Sequence, residues 1–337
     1  MRPAHGVSRS SFVAGAAALV TLPPAMTAAA VAADTGAVGA KPPSSGLAAQ
    51  TTGTYRFTVG DVRITALSDG TVPADLHQLL LRTTPAHTDA LLTEDYLTNP
   101  VEVSINDWVF ALGDHVVLVD TAAGHLFGAG YGGKLVESLK AAGFGPSDVT
   151  DVLITLVHTD HSGGLMRDDQ RVFPNATIHV DKPDVTFFLD RSNAAKAHYE
   201  IKYFDEAIRT VKPYVDAGKV NAFDRTTTIL PNLVASLHPG HTPGSAFFTL
   251  TSGNETVQFV GDIIHVAAVQ FPDPSVAIVY DVDPAAAVAV RREVFPQFVH
   301  NRTLIAVPHM PFPGVGHVRT AGTGFEWVPI AYVNRRT

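Results

Sequence analysis

Leu156-Val157-His158-Thr159-Asp160-His161-Ser162-Gly163-Gly164 comes directly after an apolar run, Val152–Thr155. The run reads as a buried strand, so residues 156–164 read as a strand-end loop. Such a loop can present several side chains to one point. Two imidazoles and a carboxylate within the four residues 158–161 combine borderline and hard ligands, a set suited to zinc, iron, manganese or cobalt. Gly163 and Gly164 let the backbone pass close beneath such a site. A solvated polar turn is the plain alternative, but it leaves three further loops unexplained.

Those loops lie downstream. Pro239-Gly240-His241-Thr242-Pro243-Gly244 brackets a histidine between two Pro/Gly pairs, a stiff turn. Phe259-Val260-Gly261-Asp262 puts a carboxylate at the end of an apolar strand, where it can bridge two cations. Pro308-His309 again comes directly after a strand. Each feature alone is weak, because a lone histidine after a strand is more often packed or solvated than a ligand. Their order along the chain carries the reading.

Around these loops, strand and helix signals alternate. Tyr55–Val59 with Val62–Leu67, and Trp108–Leu112 with His115–Val119, read as hairpins about Gly60-Asp61 and Gly113-Asp114. Ala176–Val180, Leu233–Leu237, Ser245–Thr251, Thr256–Val260 and Leu304–Val307 read as further strands. Lys134–Ala142, Pro183–Asp190, Ile201–Ala217 and Pro284–Phe295 read as helices, the last capped by Asp283. Hairpins mixed with strand–helix alternation predict an α/β fold of mixed sheets with helices packed outside.

The chain has 337 residues, 46% hydrophobic and 17% charged, enough for a sizeable core. A net charge of −8 with no basic cluster argues against nucleic acid as a partner. With no cysteine, disulfides, thiolate nucleophiles and Cys-type metal sites are excluded. Any metal must therefore be held by imidazole and carboxylate. Arg2, His5 and Arg9 precede an apolar run, Phe12–Leu22, and then the small residues 28–33. That is the layout of an export signal over 1–33, with Ala30-Val31-Ala32 as cleavage signature, and it predicts a secreted or periplasmic protein. The run is too short to span a membrane, and a disordered Ala-rich leader is the alternative. Residues 34–53 read as a flexible linker and 54–337 as one domain.

Taken together, these stretches resemble the metallo-β-lactamase superfamily, and within it the methyl parathion hydrolase branch. The resemblance runs from about Tyr55 to the C-terminus. It also takes in Leu67-Ser68-Asp69-Gly70-Thr71-Val72, Leu118-Val119-Asp120-Thr121, Val266-Ala267-Ala268-Val269-Gln270-Phe271 and Pro311-Phe312-Pro313-Gly314-Val315-Gly316-His317. It implies an αββα sandwich of two mixed β-sheets with outer helices. The family's His-x-His-x-Asp-His motif matches Leu156, His158, Asp160 and His161, so its first histidine is a leucine here. The resemblance assigns His158, His241 and the bridging Asp262 to a first metal site, and Asp160, His161, Asp262 and His309 to a second.

With leucine at 156, the first site is expected to be depleted and one divalent ion, zinc or a similar metal, to be held firmly. The implied activity is metal-assisted hydrolysis of an ester-like bond in a small molecule (a phosphotriester, lactone or aryl ester), with Asp160 as the catalytic residue that orients the nucleophile. A homodimer is left open. A degenerate member that binds a ligand without turnover is the alternative. A mononuclear iron or manganese oxidoreductase ranks last, because no second cofactor motif is present. By position, Phe127, Phe188 and Phe204 match aromatic pocket residues, with ordinary core packing as the competing reading. Asp120 is expected to support a metal histidine rather than bind metal. His265, three residues past Asp262, is expected in the pocket wall. It is alternatively a replacement ligand beside His158 and His241, or a proton shuttle.

Overall fold

Two seven-stranded sheets carry the fold of this computed structural model, which describes residues 50, 51 and 53–335. The leader expected at 1–33 and nearly all of the linker expected at 34–53 lie outside the described residues. In the first sheet, β1 (Thr54–Val59), β2 (Val62–Ala74), β3 (Val101–Leu112) and β4 (His115–Val119) run antiparallel to one another. Three parallel strands complete it: β5 (Asp151–Leu153), β6 (Thr177–Asp181) and β7 (Val220–Phe223). The second sheet is β8 (Thr227–Leu230), β9 (Leu233–Leu237), β10 (Ala246–Ser252), β11 (Glu255–Phe259), β12 (Leu304–Ala306), β13 (Val315–Ala321) and β14 (Gly324–Pro329). Only the β11–β12 pair is parallel in that sheet, because a helix connects those two strands.

Period-two alternation decides the layering. Val117 and Val119 join Leu153, Phe248 and Phe259 in a core between the sheets. Leu118 and Val152 point the other way, into a second core. There they meet α2 (Leu135–Ala142), α3 (Lys182–Phe188) and α4 (Ile201–Thr210). On the far side, Val294, Phe295 and Phe298 of α5 (Pro284–Asn301) cover Ile305 and Val318 of the second sheet. A shorter helix, α1 (Pro85–Glu94), buries Leu92 in a fourth cluster with Ala74 and Val266. This is an αββα sandwich of two mixed sheets with outer helices.

Several boundaries differ from the sequence reading. The helix expected over Ile201–Ala217 is two helices, because the chain breaks at Val211 and restarts at 212–216 with Pro213 in its first turn. The helix expected to end at Phe295 continues to Asn301 through Pro296. Asp283 caps it as expected, accepting from Ala285 N and Ala286 N. The β13–β14 hairpin is an addition to the strands expected from the sequence.

The strand ends of both sheets meet along one edge. There, Ala246 N donates to Thr155 O across the sheets. Gly163 and Gly164 are needed at this edge because a Cβ on either would collide with backbone, Ala123 O for Gly163 and Thr121 O for Gly164. Gly164→Ala is therefore expected to cost about 2–3 kcal/mol of stability, as overpacking against rigid backbone does. A lowered midpoint in chemical denaturation, with unchanged slope, is the result to look for.

Candidate metal centre

Six side chains from four loops converge at this edge. His158, Asp160 and His161 lie just past β5, and His241 sits in the β9–β10 turn. Asp262 lies just past β11, and His309 just past β12. Asp262 is at the middle. Its Oδ1 faces His161 Nε2 at 3.0 Å and His309 Nε2 at 3.1 Å. Its Oδ2 faces His241 Nε2 at 3.3 Å. His241 Nε2 in turn lies 3.1 Å from His158 Nδ1. Asp160 stands at the rim, with Oδ2 3.5 Å from His309 Nε2 and Oδ1 3.8 Å from His161 Nε2.

The far nitrogen of each of these histidines is committed to a support. His161 Nδ1 faces Asp120 Oδ2 at 2.9 Å, and Asp120 also accepts from Thr155 N and Thr155 Oγ1. His241 Nδ1 faces Asp281 Oδ1 at 2.8 Å. His309 Nδ1 faces the Ser104 carbonyl at 2.9 Å. A carboxylate or carbonyl can only accept, so in each case Nδ1 carries the proton and Nε2 is the nitrogen aimed inward. His158 is turned round. Tyr199 spends its hydroxyl proton on Tyr280 O at 2.7 Å, so it accepts from His158 Nε2 at 3.0 Å and leaves Nδ1 facing inward.

The inward atoms therefore present lone pairs to one another at 3.0–3.3 Å. Two nitrogens bound to one zinc at about 2.0–2.1 Å in a tetrahedral arrangement stand about 3.4 Å apart. His161 Nε2 and Asp262 Oδ1 are buried and make no hydrogen bond, a cost that a cation removes. Two sets of ligand atoms close enough for one ion result, His158–His241–Asp262 and Asp160–His161–His309. The residues fit divalent metals.

The electrostatics agree. Burial opposes charge on every imidazole here, yet the Asp262, Asp120 and Asp160 carboxylates hold His161 well above its ordinary pKa. Asp262 and Asp160 raise His309 likewise. Asp262 and Asp281 lift His241 to about 9 against the same burial. His158, buried beside His241, is pushed well down. Asp262 is held well below the carboxylate range, since the histidines around it outweigh its own burial. Around Asp262 the site favours positive charge, carried by a bound cation or by protons on these imidazoles.

Three supports were not found in the sequence. Asp184, at the start of α3, accepts from Val157 N, Thr242 Oγ1 and Gly244 N, tying the His158 loop to the His241 turn. Burial lifts its pKa to about 6 against those hydrogen bonds. Asp281 holds His241, and Tyr199 holds His158. The only sequence signal for Asp184 is its place in the first turn of a helix directly after a strand, where acidic residues are common anyway.

The expected pocket residues divide. Phe127 lines a cavity of about 570 Å³ whose floor is His158, Asp160, Asp262 and His309. Leu79, Leu126, Tyr203, Ile278 and Tyr280 line its wall together with the polar Asp75, Gln78, Lys202 and Glu206. Phe188 and Phe204 do not reach it. Both are fully buried in the helix-side core, where Phe188 meets His158 edge-on from behind at 5.5 Å. Tyr203, one residue before Phe204, takes the pocket face instead. Leu156 is fully buried and lines no part of this cavity. Its Cδ2 packs against Gly261, whose φ of +53° turns the chain into Asp262. His265 does line the cavity, 6% exposed, with Nε2 3.2 Å from Asp262 Oδ2. It does not join His158 and His241 in one ligand set, as a direct replacement for position 156 requires.

The sequence profile of the metallo-β-lactamase superfamily matches residues 100–320. Among solved structures, the hydrolase AbOPH of the β-lactamase superfamily is 33% identical over 85% of this chain and 100% of its own, with TM-score 0.79. AidC, a dizinc quorum-quenching lactonase in complex with a product, N-hexanoyl-L-homoserine, is 29% identical over 84% and 99%, with TM-score 0.77. An N-acyl homoserine lactone hydrolase is 17% identical over 77% and 100%, with TM-score 0.55, a likeness of fold alone. A comparison with curated protein sequences finds no match.

This geometry makes the binding of a divalent metal, zinc used as the probe, pH-dependent. A histidine raised to about 9 must lose its proton when metal binds, so apparent zinc affinity rises with pH, by roughly tenfold per unit for each proton displaced, between about pH 6 and about pH 8. For the metal-free protein the sign reverses. The stability contributed by His241 is complete below its unfolded value of about 6.5 and is lost as pH rises towards 9. Position 156 gives a separate outcome. Leu156→His adds a donor beside His158, His241 and Asp262. Tighter binding of a divalent metal, by at least ~10-fold in a chelator-competition titration, is the expected outcome.

Proposed function

The chain belongs to the metallo-β-lactamase superfamily, and we propose that within it the protein is a hydrolase of a neutral ester-like bond, in a lactone, an aryl ester or a phosphotriester. The observation that carries the reading is the pair of ligand sets, His158–His241–Asp262 and Asp160–His161–His309, four of whose residues (His158, Asp160, Asp262 and His309) form the floor of a cavity with apolar residues in its wall. A divalent ion bound there, zinc or a similar metal, would acidify a water and polarise the oxygen of the scissile bond.

The chain's own groups suit the remaining tasks. Asp160 is 18% exposed at its side chain and opens to the cavity, so it can orient the attacking water and accept its proton. Burial, with the neighbouring phenols and carboxylates adding to it, raises the pKa of Tyr203 and Tyr280. Both therefore stay protonated and can donate to a carbonyl, a phosphoryl oxygen or a departing oxygen. Leu79, Leu126, Phe127 and Ile278 would pack an acyl chain or aryl group and exclude water around the reacting bond. The solved hydrolase relative supports hydrolysis, and the solved lactonase relative supports a lactone as the substrate. The first metal site, lacking an imidazole at position 156, is proposed to be the weaker of the two. The leader over 1–33 supports export to the periplasm or exterior.

The test is a panel of γ-lactones, p-nitrophenyl esters and dialkyl aryl phosphates with zinc- or manganese-loaded protein. At least one class is expected to be hydrolysed, with loss on chelation and recovery on metal addition. Asp262→Asn should lower the rate by more than ~100-fold, beyond the 10–100-fold cost of losing a group that only supports a ligand. Metal-loaded protein that hydrolyses none of the three classes contradicts the reading.

A further inference from the structure

Among the described residues, His265 is the one imidazole at the pocket floor with no support on either side. His158, His161, His241 and His309 each commit one nitrogen to a partner from another element. His265 is buried, and neither its Nδ1 nor its Nε2 makes a hydrogen bond. Its backbone, by contrast, is firmly held. Gln270 Oε1 accepts from His265 N at 2.8 Å and from Val266 N at 3.2 Å, and Gln270 Nε2 donates to Val276 O. Gln270 is itself fully buried. The loop after Asp262 is thus fastened so that the ring points at the centre rather than at solvent.

The ring has a defined place there. Its Nε2 approaches Asp262 Oδ2, the oxygen that also faces His241. The ring stacks on His309 with centroids 5.0 Å apart and planes 16° apart. Its ligand atom lies within 4.8 Å of those of Asp262 and His309, forming a third set beside the two already described. A neutral imidazole always keeps one lone pair. With Nε2 as the unprotonated nitrogen, that lone pair is aimed at the centre beside Asp262.

We propose that His265 is a metal ligand of this protein, its Nε2 joining Asp262 and His309 to hold a cation from the cavity side of the shared carboxylate. The assignment rests on the metal-dependent reading above. The ligand then comes from a residue outside the strand-end motif and adds to the His309 side of Asp262; it does not replace the donor absent at position 156 beside His158 and His241. Five imidazoles in all serve the centre.

Cobalt(II) titration of the full-length protein tests this, tracked through the visible absorption of the bound ion and by elemental analysis. His265→Ala and His265→Gln are compared with the unaltered chain. Both variants should bind one cobalt at least ~10-fold more weakly, with a changed visible spectrum. X-ray absorption of the zinc-loaded protein should show fewer imidazoles per zinc in either variant. Equal melting of the metal-free proteins establishes that the variants fold. Superimposable titrations and spectra overturn the assignment of His265 and leave the metallohydrolase reading standing. An unaltered chain that binds no cobalt overturns both.

Discussion

A buried carboxylate shared between two groups of histidines is the constraint on which this molecule turns. Asp262 is almost fully enclosed, and isolated burial of its charge would be prohibitive. Its two oxygens are apportioned, Oδ1 to His161 and His309 and Oδ2 to His241 and His265. Asp120, Asp281 and the Ser104 carbonyl hold His161, His241 and His309 so that their Nε2 atoms point at the carboxylate. In the metal-free protein the carboxylates raise the pKa of His161, His241 and His309, which favours protons on them. A divalent ion meets the same demand and leaves the nitrogens in the protonation state that their supports already impose.

The sandwich makes this apportioning rigid. Asp120 lies just past β4, Asp184 just past β6 and Asp262 just past β11, so both sheets contribute to a single edge. The contacts that orient the ligands also join the layers. Asp184 links the helix α3 to the loops of His158 and His241. Asn106 of β3 grips Pro308 O and Met310 O on either side of His309. Preorganisation of this kind keeps a site within the few tenths of an ångström that metal geometry requires.

How much of this could be read from the chain depends on where the information lies. The four ligand loops are legible because each is a short stretch in which the chemistry sits next to its strand. The sheet order was legible in part, through the hairpins. Of the supports, Asp120 was legible through the resemblance and does hold His161, whereas Asp281 and Tyr199, 40 and 41 residues from His241 and His158, sit in no motif that marks them. Phe204 shows a subtler failure. Neighbouring residues on a helix lie about 100° apart, so a match one position out exchanges the pocket-facing Tyr203 for a core phenylalanine. His265 was visible as an oddity, three residues past Asp262. That both of its nitrogens would be left unbonded at the floor depends on Gln270 fastening the loop, which no local pattern announces.

The central claim is that Asp262 is shared between cations. Anomalous diffraction recorded on either side of the zinc absorption edge, from crystals grown with zinc, tests it most directly. The account predicts two peaks about 3.5–4 Å apart, one on the Oδ1 side and one on the Oδ2 side of Asp262. A map with no peak beside Asp262, and with protonated His161 and His241 donating to it directly, would contradict it.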